Sequence, residues 1–155
     1  MTLYLSPPME LKPDWIDYNG HLNMAYYGVL FDLGLEPFQE GLGLGESYMT
    51  AEAHTTYTAE FRIRYLQELH LGAKVRTSVR VLDVGPKAYH YAQELIHEDG
   101  WVAATGEGIS LHIDQSGPRV APYKPEQKAA LEAAMALHAA TEVPDWVGAP
   151  MRIRK

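Results

Sequence analysis

There is no cysteine among the 155 residues. That excludes a disulfide framework, a thiolate nucleophile and any metal site built on sulfur. No apolar run reaches the roughly 18 residues that cross a bilayer, so no transmembrane helix is expected. Nor does a basic segment followed by an apolar run open the chain; a secretory signal is not expected, and the reading is of a cytoplasmic protein. Positive charge is scarce, with 13 Lys and Arg against 20 Asp and Glu and a net charge of −7. Nucleic-acid proteins normally carry a basic surplus, because phosphate contacts dominate their affinity. Neither nucleic acid nor membrane is therefore expected as a partner. The 7 histidines fall in neither His-x-x-x-His nor His-Glu-x-x-His spacing, and no metal is expected. A Gly-x-Ser-x-Gly elbow is missing, which argues against an α/β-hydrolase triad. Gly41, Gly43 and Gly45 alternate with Leu, but no Gly-Lys-Ser/Thr follows, so they read as a mobile connector and not a phosphate loop.

What is present concentrates in Trp15-Ile-Asp-Tyr-Asn-Gly-His-Leu-Asn-Met-Ala-Tyr-Tyr27. A carboxylate, Asp17, precedes a turn glycine, Gly20, and then Asn23, a favoured helix N-cap. Leu22 before the cap can pack on Tyr27 as a hydrophobic staple. From Met24 to Leu35 the only charge is Asp32, so the spacing predicts a helix apolar on nearly every side and buried. Gly28 and Gly34 predict close approach of a neighbouring backbone, and Pro37 and Gly41 are expected to end the helix. This order sets an acid beside the positive end of a helix dipole, where backbone N–H groups lack intrahelical partners. A carbonyl oxygen gaining negative charge under attack is stabilised at such a place.

Ahead of this stretch, residues 3–12 with Pro7-Pro8 read as an interrupted edge strand. From Ala53 to Asp114 the pattern has period two. Tyr57, Ala59, Phe61, Ile63 and Tyr65 alternate with polar residues. After a turn near His70–Gly72, Val75, Val79 and Val81 alternate with Lys74, Arg76, Ser78 and Arg80. A third run passes through Tyr89, Tyr91, Gln93 and Leu95, Glu98-Asp99-Gly100 forms a hairpin turn, and a last strand runs from Trp101 to about Asp114. Such connections predict four consecutive antiparallel neighbours. Pro125 suits a helix start, and Glu126–Ala140 places Leu131, Met135 and His138 at helical spacing on a surface or interface helix. Met151-Arg-Ile-Arg-Lys155 reads as a solvated tail. The expected class is α+β, organised as a domain over 1–123 and a C-terminal helix and tail over 124–155.

One edge strand, one long buried helix and a curved antiparallel sheet resemble the hotdog fold, in which the sheet wraps the helix. Asp17-Tyr-Asn-Gly20-His21-Leu-Asn23 followed by Tyr26-Tyr27 resembles the Asp-x-x-Gly-His-x-Asn-x-x-Tyr signature of the 4-hydroxybenzoyl-CoA class of acyl-CoA thioesterases. The likeness extends over roughly residues 3–123. Within that class, Trp15–His21, His54-Thr-Thr-Tyr57-Thr58-Ala-Glu60 and Tyr65-Leu-x-Glu68-x-x-x-Gly72 resemble the thioesterases of carnitine breakdown. Those are assigned betainyl-CoA, whose acyl group carries a trimethylammonium. The resemblance implies that Asp17 is the catalytic aspartate and that the Met24 backbone N–H binds the thioester oxygen, with Asn23 and His21 orienting. It implies coenzyme A as part of the substrate and no separate cofactor. It also implies a homodimer or a dimer of dimers, with the site formed between subunits.

Asp17 can attack the thioester directly, giving an acyl-enzyme anhydride, or hold a water as general base. Taken without the motif, Asp-Tyr-Asn-Gly is also good turn chemistry. The candidate substrate contacts are Trp15, Tyr27, His54, Thr58, Glu60 and Tyr65; for His54, Thr58 and Glu60 the competing reading is a solvated strand face. Trp15, Tyr18, Tyr26, Tyr27, Tyr57 and Tyr65 read as a cation–π cage for a quaternary ammonium or as ordinary core, with core favoured for Tyr26 and Tyr57. Lys74, Arg76 and Arg80, with Arg62 and Arg64, read as a wet strand face in preference to a CoA-phosphate site. Two other functions compete. A hotdog dehydratase or hydratase needs a His and a carboxylate aligned on an acyl α-proton, and a non-catalytic acyl-CoA-binding module needs neither.

Overall fold

The structure is a computed structural model that describes residues 3–155; the first two residues of the expected 1–123 unit lie outside it. The proline pair interrupts the opening strand as its chemistry requires. β1 (Tyr4–Leu5) and β2 (Met9–Glu10) flank Pro7-Pro8, and both pair antiparallel with β4 (Lys74–Val84). Ser6 bridges the gap, its N–H donating to Thr77 O at 2.8 Å and its hydroxyl accepting from Thr77 N–H at 2.9 Å. A 3₁₀ turn (Pro13–Trp15) then delivers the chain to the long helix α1 (Met24–Gly41). After a short second helix, α2 (Glu46–Glu52), come β3 (His54–Tyr65), β4, β5 (Ala88–His97), β6 (Val102–Asp114), β7 (Arg119–Val120) and α3 (Pro125–His138).

The antiparallel sheet runs β1-β4-β5-β6-β3, with β2 beside β4 and β7 beside β6. β3 therefore pairs with β6 and not with β4, contrary to the consecutive order expected from the sequence. The reason lies in the connection from Leu66 to Ala73. Leu66 and Gln67 donate to Ala103 O, Leu69 is buried, and the Leu69 carbonyl accepts from Leu22 N–H at 2.8 Å. The connection is thus tied across the end of the sheet and cannot fold back as a hairpin. With β3 carried to the far side, the sheet closes around α1 in the hotdog arrangement.

α1 buries Tyr27, Leu30, Phe31, Leu35 and Phe38 against the concave face. A methyl at Gly34 would lie 1.9 Å from Thr77 Oγ1, so this glycine lets α1 approach β4. At Gly28 the same methyl would meet only Ile63 Cδ1 at 3.8 Å, an ordinary contact. Of the two expected stops only the glycine holds, and the helix runs through Pro37 to end at Gly41. Leu35 and Phe38, buried on either side, hold it across the missing N–H. Nor is the helix sheathed all round. Val29 and Leu33, one turn apart, stay 38% and 42% exposed on its open side, and Met24 at its first position is 66% exposed. β3, the edge strand, carries a bulge at Ala59, where the register jumps from Thr58 to Glu60. Phe61 and Ile63 pack on the core, while Tyr57 and Tyr65 remain nearly half exposed.

Arg80 corrects another expectation. It is buried, not on a wet face, and donates to the carbonyls of His138 at 3.1 Å and Thr141 at 2.9 Å, at the C-terminal end of α3. A cation is favoured there by the helix dipole. Beyond α3 the chain crosses the outer face of the sheet. Arg62 of β3 donates to the carbonyls of Trp146 and Ala149, and both Glu107 carboxylate oxygens accept from Gly148 N–H.

Candidate active site

The loop Trp15–Asn23 is held closed by its own backbone. Ile16 bridges Leu22 antiparallel, Asp17 N–H donates to His21 O at 2.9 Å, and Asn23 N–H donates to Trp15 O at 2.9 Å. Gly20, at φ +81, donates to Asp17 O at 3.0 Å, a backbone angle that suits glycine best. These bonds place Asp17 on the strand of the loop opposite the helix start. Its Oδ1 accepts from Asn19 N–H at 2.9 Å, which fixes the half-buried carboxylate by an Asx turn. No hydrogen-bond partner for Oδ2 occurs among the described residues.

Asn23 caps α1 as its residue type predicts, Oδ1 accepting from Ala25 N–H at 3.0 Å, while its carbonyl accepts from Tyr26 N–H at 3.0 Å. The Met24 N–H, at the first helical position, has no partner among the described residues. The Met24 carbonyl accepts from the Tyr65 hydroxyl at 3.0 Å, which ties the end of β3 to the first turn of the helix. Tyr65 also meets Tyr27 edge to face at 5.0 Å. Burial first, then the Tyr65, Glu68 and Asp17 charges, push the Tyr27 phenol above its ordinary value, against a bond to the Leu69 backbone that pulls the other way. Asp17, Tyr27, Tyr65 and Glu68 thus share one neighbourhood.

Glu68, in the connection after β3, also has a part in this corner. Its carboxylate stands 3.2 Å from His21 Nε2 and 3.6 Å from His70 Nε2, and the two imidazoles meet edge to face at 5.5 Å. His70 also hydrogen-bonds the Gly20 carbonyl at 3.2 Å. The one sequence signal for this was Glu68-Leu-His70 in the connection that crosses the loop. No group of three His, Asp or Glu among the described residues is arranged to hold a metal ion.

The remaining candidates have other surroundings. Trp15 is buried in the core, stacked on Tyr26 at 5.5 Å with Lys12 Nζ 5.4 Å over the ring. Tyr18 is 97% exposed. Thr58 lies beside the Tyr91 phenol, which burial pushes up to about 12. It is seven residues from Tyr65, roughly 23 Å along an extended strand. Tyr57, one residue further, accepts from Gln115 at 3.3 Å. Glu60 lines a hollow on the outer face with Arg62, His90 and Glu107. His54 begins β3, bonded to Glu52 O at 2.7 Å and stacked 5.3 Å from His112. The chain therefore gathers Asp17, His21, Asn23, Met24, Tyr27 and Tyr65, and leaves His54, Thr58 and Glu60 apart.

Comparison with known proteins settles the family. Residues 11–149 match the thioesterase-like superfamily. The chain belongs to that superfamily. Membership sets the class of reaction, hydrolysis of an acyl-CoA thioester. A betainyl-CoA thioesterase of Pseudomonas aeruginosa is 33% identical over 149 residues, covering 96% of this chain and 92% of the relative. An L-carnitine dehydrogenase/betainyl-CoA thioesterase of Agrobacterium fabrum is 32% identical over 140 residues, 89% of this chain but 28% of that longer protein. Among solved structures, a Staphylococcus aureus protein in complex with CoA superposes with a TM-score of 0.89 at 24% identity, over 98% of this chain and 96% of that one. A DHNA-CoA thioesterase from the same organism gives 0.79 at 18% identity, over 90% and 97%. At such identities the likeness shows the fold alone. No helix among the described residues of this thioesterase is long and apolar enough to cross a membrane.

Proposed function

We propose that this thioesterase hydrolyses a small acyl-CoA whose carbonyl oxygen lies on the Met24 N–H, with Asp17 supplying the attack. The observation that carries the reading is the donor count at the start of α1. Asn23 satisfies Ala25 and Tyr26, so Met24 N–H remains free at the positive end of the helix. As the thioester carbon becomes tetrahedral, its oxygen gains charge, and a preset donor there strengthens in the transition state. Asp17 acts from the facing strand of the loop, as nucleophile or through a held water; its Asx turn keeps the carboxylate from swinging away. His21 and Glu68 brace that loop from the far side. The reaction so written calls for no metal and no cofactor.

The proposed acyl group is small and cationic, betainyl-like, supported by the Pseudomonas aeruginosa relative and by the site itself. Asp17 and Glu68 make the corner negative, and Tyr27 and Tyr65 offer ring surface to a trimethylammonium. A second copy of the chain is part of the proposal. If two β3 edges pair antiparallel about the midpoint near Ala59 and Glu60, each Tyr65 faces the other copy's His54. The half-site missing from one protomer then comes from the second, as an isologous interface requires.

Thiol release from a panel of acyl-CoA esters tests the reading. Asp17→Asn is expected to lower kcat by about a thousandfold or more, in the range typical of a lost catalytic group, while CoA still binds. Turnover of betainyl-CoA should exceed that of tert-butylacetyl-CoA, its uncharged isostere. Full activity in Asp17→Asn would overturn the assignment of Asp17, and equal turnover of the two esters would remove the cationic substrate.

A further inference from the structure

Between the outer face of β3 and the segment after α3 lies an open cleft of about 910 Å³. Arg62, Arg64, Arg152, Arg154 and Lys155 line it, against a single acid, Asp145. Arg62 is already engaged, donating to Glu107 at 2.6 Å, to Trp146 O at 3.0 Å and to Ala149 O. It builds the wall of the cleft. Arg64, Arg152, Arg154 and Lys155 make no ion pair among the described residues. In a chain of net charge −7, four unpaired cations in one cleft are a local reversal of sign. Their mutual repulsion is relieved by an anion held between them.

The position of the cleft says which anion. It opens at Leu66, the residue after Tyr65, whose hydroxyl holds the first turn of α1. Cleft and helix N-terminus therefore lie on opposite faces of the same end of β3, joined around the end of the strand. Coenzyme A has a matching shape, with the thioester at one end of a long flexible arm and phosphates with a flat purine at the other. We propose that this cleft binds the phosphates of the CoA moiety. Arg64, Arg152, Arg154 and Lys155 are the anion-binding side chains, Trp146 is a flat wall for the base, and the arm passes off the strand end at Leu66. Guanidinium groups suit this role because they bond phosphate oxygens two at a time. The tail read from the sequence as merely solvated thus becomes part of the substrate site. The proposal rests on the reading of the α1 N-terminus as the thioester site.

The test separates the two. The full chain, wild type and R152Q/R154Q, is assayed on one acyl group carried by CoA and by N-acetylcysteamine, which has no phosphate. The double variant is expected to raise KM for the CoA ester by roughly tenfold or more, equivalent to ~1.4 kcal/mol or above. Its kcat on that ester and its kcat/KM on the N-acetylcysteamine ester should stay within about twofold of wild type. Calorimetric titration with CoA should show the same loss of affinity, and pyrophosphate should compete with CoA. An unchanged KM, an equal loss on both esters, or pyrophosphate binding without competition overturns the cleft. Weakened CoA binding in R152Q/R154Q alongside a wild type that hydrolyses nothing keeps the cleft and removes the thioester site. Hydrolysis with CoA affinity indifferent to the substitutions does the reverse.

Discussion

Asn23 commits its side chain to one N–H and its carbonyl to another, and the N–H it leaves alone is the one the proposed chemistry uses. In that proposal capping and catalysis share one helix end, because such an end always has more donors than a single residue can satisfy. Gly34 is a second position where one atom decides. Its added methyl would fall inside Thr77 at 1.9 Å from Oγ1 and 2.9 Å from Cβ. Gly34→Ala should therefore destabilise by about 1–2 kcal/mol, the overpacking cost exceeding the ~1 kcal/mol of helix propensity regained. Gly28→Ala, where only a 3.8 Å contact awaits, should stabilise by up to ~1 kcal/mol. Urea midpoints moving in opposite directions for the two variants would bear this out; a shared sign would contradict it.

Among the elements, α3 is attached to the sheet by a neutral imidazole. His138 Nδ1 accepts from Val81 N–H at 2.8 Å, so protonation breaks that bond and sets a cation near Arg80. Burial, then Arg80, hold His138 below the ordinary histidine value. His112 is held down as well, chiefly by burial, its Nδ1–H donating to Ala121 O while Nε2 accepts from the Tyr48 hydroxyl. For both groups the unfolded chain takes up the proton first, near pH ~6.5. Their contribution is complete above that pH and is lost as pH falls toward the depressed folded values. The thermal midpoint is expected to drop between pH ~7 and ~5, each kcal/mol lost lowering it by about 2–4 °C. His138→Asn, which offers an acceptor and cannot titrate, should flatten the slope, and an unaltered slope would count against the assignment. Glu107 acts in a lower window. Gly148 N–H, His90 and Arg62 outweigh its burial and pull its carboxyl below the usual range, so its contribution is lost only as pH falls through that depressed value.

For the whole molecule, the open side of α1 and the free edge of β3 are the features a single copy leaves unfinished. Val29 and Leu33 are exposed beside an edge strand whose unpaired backbone invites another strand. The proposed second copy covers both. If that copy is present, Val29→Asp with Leu33→Asp should convert the proposed dimer to a monomer in sedimentation while circular dichroism stays native. Hydrolysis should fall by about a hundredfold or more, on the scale expected for misplaced catalytic groups. A wild type that sediments as a monomer with full activity would remove the shared site.

Much was legible from residue types in order. Asn23 as cap, the Pro7-Pro8 break, the Asp99-Gly100 turn, the long helix and the four long strands all follow from local preferences, which act over a few residues. The motif around Asp17 was legible for the same reason, being one closed loop. Less visible were α2, the bulge at Ala59 and the run of α1 through Pro37, where burial of Leu35 and Phe38 overrides a local stop signal. The placement of β3 beside β6, the burial of Arg80, and the meeting of Glu68 with His21 depend on contacts between residues far apart in the chain. Periodicity reports which face of a segment is apolar and says nothing of which other segment will cover it. That choice is made when the apolar faces close around α1.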